Sequence, residues 1–558
     1  MLVVRLAPAE AAGAIASWAA ATRRMREALG WPAGQIAARR WAEGAELGLT
    51  APTDQLLTAT DVNEWAWTQS ALALGRDLGP PGLWPGSTPR EFDDALPYLR
   101  AMSRAEARPP FVALEREAKS RGVPLRWDEQ TVWIGSGRYG EAWPREALPA
   151  PEAVAWAERL AVPTALVTGS NGKTTTTRLL AAILRAHGLA TGHCCTDGVF
   201  VNGETLASGD YSGPLGALTT LADPRVEAAV LETARGGILR RGLVATGADV
   251  AIATNVQLDH FGEYGIDGHA AIAAVKLTVA KGVRDGGWLV LNAGDRHLVA
   301  GEPAVRPTVH RAWFAFDPAD LAAHRGQRTA TLEHDRLVVS DGTTQHPLAR
   351  VDEIPLSAGG VARYNLENAM AAGLAAWCLG IPAETIHRVI TTFGTRAADN
   401  PGRLETWRLA NVTVLTDYAH NPEGISGLLT VARSLAPKRL LLLLGQAGNR
   451  GDDAIRALAA AAWAFRPDHI VLKDLEGFLR GRAPGEVPGI LADELRRLGL
   501  ADERMECVLP EVDAVRTVLA RAREGDVLVL PVHGAAARTE VAALLRRLAD
   551  EAWRAPVG

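Results

Sequence analysis

The chain has 558 residues, of which 47% are hydrophobic and 22% are charged, and its formal net charge is −5. Its 59 basic residues are balanced by 64 acidic ones, so it has no overall cationic surplus with which to neutralise nucleic-acid phosphates. No apolar run approaches the roughly 18 residues that a membrane-spanning helix needs, and the N-terminus has no basic leader ahead of an apolar segment. We therefore expect a cytoplasmic protein of several domains that binds neither nucleic acid nor membrane.

The first block of the chain, residues 1 to about 150, is rich in Trp, Ala and Arg. Its breaker-rich stretch ALPAPEA (147–153) is a candidate linker. The segment FVALEREAKSRGVPLRW (111–127) predicts a helix followed by a strand. Three residues of this block either form a recognition surface or pack in its core, and packing with a role in acceptor docking is favoured: Glu64, Trp65 and Trp67.

The rest of the chain predicts two α/β domains. From 154 to about 397, the β-rich runs TALVTG, AAVLET, VAIATN and GWLVLN alternate with helical segments, which is typical of a parallel sheet covered by helices. After PGRLE (401–405) the alternation restarts with VTVLTDY, RLLLLLG, HIVLK and DVLVLPV. We therefore predict an α/β protein with domains at 1–153, 154–398 and 399–558.

The cysteines give no sign of a metal site or a disulfide framework. No pair has metal-ligand spacing, and the two adjacent cysteines are poorly placed to bridge to each other. We expect four buried, reduced thiols: Cys194, Cys195, Cys378 and Cys507.

The stretch TALVTGSNGKTTTTRLL (164–180) carries the clearest chemical signal. A strand, a glycine-containing turn and a helix beginning near Lys173 would point backbone N–H groups at an anion. Lys173 would then reach the outer phosphates of a nucleotide, and the Thr174 hydroxyl would bind Mg²⁺. Val167 stands where the usual phosphate-loop pattern has glycine, and the alternative is a plain tight turn. The predicted nucleotide-binding residues here are Thr168, Gly169, Ser170, Asn171, Gly172, Lys173, Thr174 and Thr175.

T-G-x-N-G-K-T resembles the phosphate loop of the Mur ligase superfamily, and further motifs resemble that family in the family's order. They look most like the Mur-type, C-terminal half of cyanophycin synthetase, over roughly residues 160–545, with that enzyme's ATP-grasp half absent. The resemblance implies a three-domain Mur ligase architecture with a P-loop central ATPase domain and a Rossmann-like C-terminal domain. The motifs are LETARGGILRRGL (231–243), NVQLDHFGEYG (255–265), AAVKLTVAKGV (273–283), RYNLENAMAAGLA (363–375), NPGRLE (400–405) and TDYAHNPEG (416–424).

The resemblance implies ATP and two Mg²⁺ ions as cofactors. Glu232, at the end of an apolar run, would bind one Mg²⁺ together with Thr174, whereas a lone Glu there is otherwise a solvated charge. His260 would bind a second Mg²⁺, and its alternative role is as a capping residue beside Asp259. Lys276 matches the family's carbamylated lysine, which becomes an anionic metal ligand. An unmodified lysine remains the alternative.

The later motifs supply the remaining predicted contacts to the nucleotide. Asn365 and Asn368 lie three apart and share a helix face, and the resemblance implies that they contact the adenine or its neighbourhood. Arg403 would reach the phosphates or ribose when the last domain closes. Asp417 and His420 would bind ribose and border the substrate, with turn formation as the alternative for His420 and the adjacent Asn421.

Together these residues predict an ATP-dependent carbon–nitrogen ligase that works by an acyl phosphate, with Lys173, Glu232, His260, Lys276 and Arg403 as catalytic residues. Its partners would be an amino acid or related amine and a peptide-like carboxylate acceptor. Alternatives are a cell-wall or polyglutamate-type Mur ligase, and a nucleotide-binding regulatory subunit. The oligomeric state stays open, a homo-oligomer included. The amine pocket is expected at GQAGNRGDD (445–453) and KDLEGFLRGR (473–482), with Asp474, Glu476, Arg480 and Arg482 as charged contacts.

Overall fold

The computed structural model describes residues 2–41, 44–76, 88–257, 266 and 268–556. Contacts divide these residues into two compact units, a smaller one built from 2–134, 142–158 and 266, and a larger one built from 135–141, 159–257 and 268–556. No helix in the described ranges is long and apolar enough to cross a membrane.

The smaller unit contains two three-stranded sheets and four helices. Two of its described tryptophans pack in its core. Trp18 is fully buried and donates to Asn63 Oδ1 at 2.8 Å. Trp65 is 2% exposed and donates to the Arg90 carbonyl at 2.9 Å, whereas Glu64 and Trp67 are half-buried. The packing interpretation therefore holds for Trp65. The elements are β1 (Leu2–Arg5), α1 (Pro8–Leu29), β2 (Ile36–Trp41), β3 (Gly44–Leu49), α2 (Leu56–Ala73), α3 (Phe92–Glu106), α4 (Pro109–Arg121), β4 (Leu125–Trp127), β5 (Thr131–Ile134) and β6 (Glu141–Pro144).

The first sheet of the larger unit has eleven strands. Its elements are β7 (Thr164–Thr168), α5 (Lys173–Ala186), β8 (Thr191–Cys195), β9 (Gly198–Val201), β10 (Glu204–Ser208), α6 (Pro214–Ala222), β11 (Ala228–Glu232), α7 (Arg235–Arg241), β12 (Ala248–Ala253), α8 (His269–Leu277), β13 (Val283–Asn292), α9 (Arg296–Gly301), β14 (His310–Phe314), β15 (Arg328–Glu333), β16 (Arg336–Ser340), β17 (Gln345–Arg350), α10 (Arg363–Cys378) and α11 (Ala383–Ile390). The strand order is β10-β9-β8-β11-β7-β12-β13-β14-β15-β16-β17, with parallel pairing from β8 to β15. All residues of β7 and β11 are buried, because helices cover both faces of a parallel sheet.

The second sheet of the larger unit has six strands in the order β18-β19-β23-β20-β21-β22. All pairs are parallel except that of β18 with β19, which is an antiparallel edge. The elements are β18 (Glu405–Leu409), β19 (Val412–Asp417), α12 (Pro422–Ser434), β20 (Leu440–Leu444), α13 (Asp452–Trp463), β21 (His469–Leu472), α14 (Glu486–Arg497), β22 (Met505–Cys507), α15 (Glu511–Arg521), β23 (Val527–Pro531) and α16 (Ala535–Asp550).

The structure corrects the expectation for the cysteines. Cys194 and Cys195 are buried, as expected from their place in β8, but Cys378 is only half-buried and Cys507 is exposed. Cys507 ends β22, the edge strand of the second sheet, where one side of the strand has no neighbour to cover it. All four thiols are free.

Candidate active site

The turn between β7 and α5 is a tight loop that lacks room for side chains at its glycines. Gly172 has φ +84°, and a Cβ there would lie 2.0 Å from Asn368 Oδ1. The end of β12 holds the loop from the other side. The Asn171 N–H donates to Asn255 Oδ1 at 2.9 Å, and the Thr254 hydroxyl donates to the Asn171 carbonyl at 2.7 Å. The loop therefore has a set shape ahead of the N-terminus of α5, where an anion is favoured.

A buried carboxylate lies beside this helix N-terminus. Glu232, the last residue of β11, is 1% exposed and accepts hydrogen bonds from the Thr174 hydroxyl at 2.9 Å and the Thr196 hydroxyl at 3.1 Å. Burial raises its pKa, and the charge of Lys173 opposes the increase. These oxygen donors are of the kind that Mg²⁺ prefers. Thr174, Thr196 and Glu232 therefore fit a magnesium ion.

Arg403 approaches the same point from the segment that leads into β18. Its Nη2 lies 3.5 Å from Thr174 Oγ1, and its guanidinium carbon lies 4.3 Å from the centroid of the Tyr418 ring. The Leu404 N–H donates to Asp417 Oδ2 at 2.6 Å. Burial raises the pKa of Asp417, while the charge of Arg403 and backbone N–H groups lower it. Arg403 thus brings a positive charge to the hydroxyl of the phosphate loop.

The two predicted asparagines of α10 form a pair, with Asn368 Nδ2 donating to Asn365 Oδ1 at 3.1 Å. Asn365 donates to the Leu356 carbonyl at 3.0 Å, and the Thr176 hydroxyl lies 3.4 Å from Asn368 Oδ1. Both asparagines are buried. Asn368 therefore packs against Gly172 of the phosphate loop and Thr176 in the first turn of α5, and Asn365 holds Asn368 in place.

The segment after β19 meets the phosphate loop directly. Asn421 Nδ2 donates to Asn171 Oδ1 at 2.9 Å, and Asn171 Nδ2 lies 3.3 Å from Asn421 Oδ1. Asn421 also caps α12, because its Oδ1 accepts from the Gly424 N–H at 2.9 Å. His420 Nδ1 lies 3.1 Å from the Tyr418 carbonyl. The two sheets of the larger unit are therefore joined at the predicted nucleotide site.

A cavity of about 660 Å³ collects most of the predicted residues. Thr168 and Gly169, where β7 passes into the loop, are not among the residues that line the cavity. Lys276 is buried in α8 and also does not line it, and His260 lies outside the described residues. Across the described ranges, no three His, Cys, Asp or Glu side chains are grouped as a metal site. The predicted residues that line the cavity are Ser170, Asn171, Gly172, Lys173, Thr174, Thr175, Glu232, Asn365, Asn368, Arg403, Asp417 and His420.

Several side chains that line the cavity were not predicted, and two of them, Asn255 and Thr196, contact the predicted residues Asn171 and Glu232. Asn255 lies in the quoted NVQ motif, and its place just after the buried run VAIAT was the available signal, because ligands bind at the carboxyl ends of parallel strands. Thr196 follows β8 in the same way, but a single threonine after a strand carries little information. Only its contact with Glu232 identifies it.

The expected amine pocket is not part of this cavity. Arg482 donates to the Gly448 carbonyl at 2.9 Å and pairs with Asp452 at 2.8 Å and Glu486 at 2.7 Å. Asp474 is 4% exposed and accepts from the Gly485 N–H at 2.8 Å. Arg482 therefore joins the stretch at 473–482 to that at 445–453, whereas Asp474 bonds to Gly485 just beyond its own stretch. Their role as substrate contacts stays a prediction. Glu476 and Arg480 are exposed and also do not line the cavity.

Comparison with known families agrees with this geometry. The profile of the Mur ligase middle domain matches residues 167–376, and that of the Mur ligase, glutamate ligase domain matches residues 402–531. The chain belongs to the Mur ligase family. The second match begins at residue 402 and therefore includes Arg403.

Named relatives extend the match. Cyanophycin synthetase of Trichormus variabilis is 36% identical over 376 residues, which are 66% of this chain and 41% of the relative. The UDP-N-acetylmuramoyl-L-alanyl-D-glutamate–2,6-diaminopimelate ligase of Xanthomonas campestris pv. campestris is 29% identical over 398 residues, 69% of this chain and 75% of the relative. The match thus spans about two fifths of the cyanophycin synthetase length.

A solved Mur-type structure shows the same fold. The E. coli FolC structure in complex with DHPP and ADP covers 69% of this chain and 89% of its own, with a TM-score of 0.50 and 19% identity. The predicted α/β fold class and the Mur ligase resemblance are therefore confirmed.

Proposed function

We propose that this protein is an ATP-dependent ligase that activates a carboxylate as an acyl phosphate and joins it to an amino acid or related amine, releasing ADP and phosphate. The observation that carries the proposal is the buried Glu232 bonded to Thr174 at the phosphate loop, with Arg403 beside the same hydroxyl. A site for a neutral ligand would not need the buried carboxylate of Glu232 together with the positive charges of Lys173 and Arg403. An anionic ligand that arrives with a metal accounts for both.

The chain's own residues support each part of this reaction. Lys173 and Arg403 would spread the negative charge that builds on the transferred phosphoryl group. When bound at Thr174 and Glu232, Mg²⁺ would supply further charge neutralisation. The Asn171–Asn421 pair would hold the site closed, so that water has little access to the activated acid.

We also propose the finer assignments that the resemblance implies. Asn365 and Asn368 would contact the adenine side, Asp417 and His420 the ribose, and a carbamylated Lys276 with His260 would bind the second Mg²⁺. The domains at 1–153, 154–398 and 399–558 would carry acceptor docking, ATP binding and amine delivery. Because the reaction consumes ATP, we place the protein in the cytoplasm.

The relatives support two substrate classes. The similarity to cyanophycin synthetases favours a peptide-like carboxylate acceptor and an amino acid such as arginine. The similarity to diaminopimelate-adding ligases favours a cell-wall precursor as the second candidate. The two are separated by the acceptor, since only the second requires a nucleotide sugar.

A phosphate-release assay tests the function. Amino acids are screened against short aspartate- or glutamate-containing peptides and against a UDP-linked muropeptide, with MgATP, and the amide product is measured by mass spectrometry. Lys173→Ala should lower turnover by about 10²-fold or more, with an unchanged circular dichroism spectrum. The exposed Lys281 provides the matched control, and Lys281→Ala should keep full turnover. Absence of ATP-dependent phosphate release with every pair would overturn the proposal.

A further inference from the structure

Asp197, in the turn after β8, forms ion pairs with two arginines from distant parts of the larger unit. It lies 2.6 Å from Arg178 Nη2, in α5, and 2.5 Å from Arg538 Nη1, near the start of α16. The three side chains are 15%, 6% and 17% exposed. Asp197 therefore joins the two sheets through one arginine from the helices of each sheet.

One of these arginines also contacts the site residue Tyr418. The Arg538 guanidinium carbon lies 5.2 Å from the centroid of the Tyr418 ring, and that of Arg403 lies 4.3 Å from the same centroid. Both distances are within the range of a cation–π contact. Arg403 and Arg538 therefore both contact the Tyr418 ring, and Arg538 also forms an ion pair with Asp197.

The other arginine braces the chain just before Arg403. Arg178 Nη1 donates to Asn400 Oδ1 at 3.2 Å and to the Pro401 carbonyl at 3.1 Å. Asn400 Nδ2 donates to the Thr175 hydroxyl, in the first turn of α5, at 3.2 Å. Arg403 is thus supported by Arg178 through the preceding chain and by Arg538 through the Tyr418 ring. Asp197 pairs with both of these arginines.

We propose that Asp197 and Arg538 form a latch that positions Arg403 and Tyr418 and keeps the site closed while the carboxylate is activated. Neither residue lines the cavity, so each acts through Arg403 and Tyr418 and is a positioning residue. The inference rests on the proposed ligase function. With the latch broken, water would replace the amine at the acyl phosphate, returning free carboxylate and inorganic phosphate without an amide bond.

The test compares Arg538→Ala and Asp197→Asn with Arg547→Ala, a matched control on the exposed side of the same helix. The amount of phosphate released per amide formed should rise in both latch variants and stay at the wild-type value in the control. The kcat/KM for ATP should fall by about 10-fold to 10²-fold, the usual effect of a misplaced catalytic group. The double variant should lose little more than either single one, because both break one unit.

Arg538→Lys keeps the charge but not the planar group, so it should restore the phosphate-to-amide ratio only in part. It also replaces Arg538→Ala if that variant does not fold. The latch is refuted if the wild-type protein makes amide and the latch variants have the same phosphate-to-amide ratio as Arg547→Ala. That result would leave the ligase function unaffected.

A second measurement works without catalysis. Hydrogen exchange of residues 400–405 and 417–421 should be faster in Arg538→Ala than in Arg547→Ala, with no ligand added. If the wild-type protein shows no ATP-dependent turnover, the ligase proposal fails, and this measurement alone decides the latch. Unchanged exchange in both segments would then refute it.

Discussion

Glu232 shows at the scale of one residue how the site is built at a cost in stability. A buried carboxylate that accepts from two hydroxyls and one distant backbone N–H is unfavourable, because the side chain loses its hydration. The raised pKa of Glu232 expresses that cost. A bound cation would offset the cost of burying this carboxylate. Residues of functional sites often lower the stability of the folded protein in this way.

Replacement of this carboxylate should therefore separate stability from binding. In Glu232→Gln, the folded protein without metal should be as stable as the wild type or more stable, since a buried charge is removed. Its affinity for MgATP should drop by about tenfold or more, equal to at least ~1.4 kcal/mol. Calorimetric titration and thermal melts measure both. The exposed Glu524, as Glu524→Gln, should change neither. A variant that binds MgATP like the wild type would contradict the metal role.

A second set of buried ionisable residues lies behind the site loop. Lys473 Nζ pairs with Glu511 and lies 3.1 Å from His533 Nδ1, and His533 Nε2 lies 3.1 Å from the Ala419 carbonyl. Burial and the charge of Lys473 lower the pKa of His533 to about 4. The histidine is neutral at pH 7 and supports the loop that carries Asp417.

This histidine predicts a pH dependence of stability. The pKa of His533 in the folded state lies below its ordinary value of 6.5, so the unfolded chain binds the proton first as the pH falls. Stability should decrease from about pH 6.5 to pH 4, by up to ~1.4 kcal/mol per pH unit from this residue. Urea unfolding should show a shallower dependence in His533→Gln. The exposed His187, as His187→Gln, should leave the slope unchanged. An equally steep profile in His533→Gln would exclude this role.

At the scale of elements, the phosphate loop is defined by the N-terminus of α5 and by the two glycines of the turn before it, Gly169 and Gly172. The sequence predicts the helix start at Lys173, where the structure has it, because glycine ends the strand-to-helix turn and threonines follow. It does not predict the antiparallel strand β18, whose alternation is too short to indicate its pairing partner. Asn255 and Thr196 also escape prediction, since their roles depend on which strands become neighbours.

The two ends of α5 provide a matched pair of glycine substitutions. Gly172 has φ +84° and a Cβ there would meet Asn368, whereas Gly188 has φ +99° and open space around it. Gly188→Ala should cost only the backbone strain, about 1–2 kcal/mol. Gly172→Ala should cost more and also weaken MgATP binding, because the loop must shift from Asn368. Chemical unfolding and titration measure both effects. Equal losses of stability with unchanged binding in both variants would contradict the close packing of the loop.

At the scale of the whole molecule, the chain consists of two units with separate hydrophobic cores. The smaller unit has a core around Trp18 and Trp65. The larger unit has one core against its first sheet and one on each face of its second sheet, among the described residues. Every described residue of the cavity belongs to the larger unit.

Saturating MgATP should therefore stabilise the larger unit selectively. At a ligand concentration of 100 times Kd, the expected gain is about 2.7 kcal/mol. Hydrogen exchange should slow in residues 170–175 and 400–424, and stay unchanged in α1 and α2 of the smaller unit. Lys173→Ala under the same conditions is the control and should show no protection. Uniform protection of both units would argue against a site confined to the larger one.

The sequence by itself determined the class of the protein, because the phosphate loop, the strand ends and the spacing of later motifs are local patterns that need no knowledge of contacts. Tertiary structure alone decided which of these motifs meet. The pairing of Asn171 with Asn421 and the bridge from Asp197 to Arg538 join residues hundreds of positions apart. Such contacts depend on strand order and domain packing, which no local pattern encodes. For the same physical reason, the sequence did not predict that Arg482 pairs with Asp452 and Glu486.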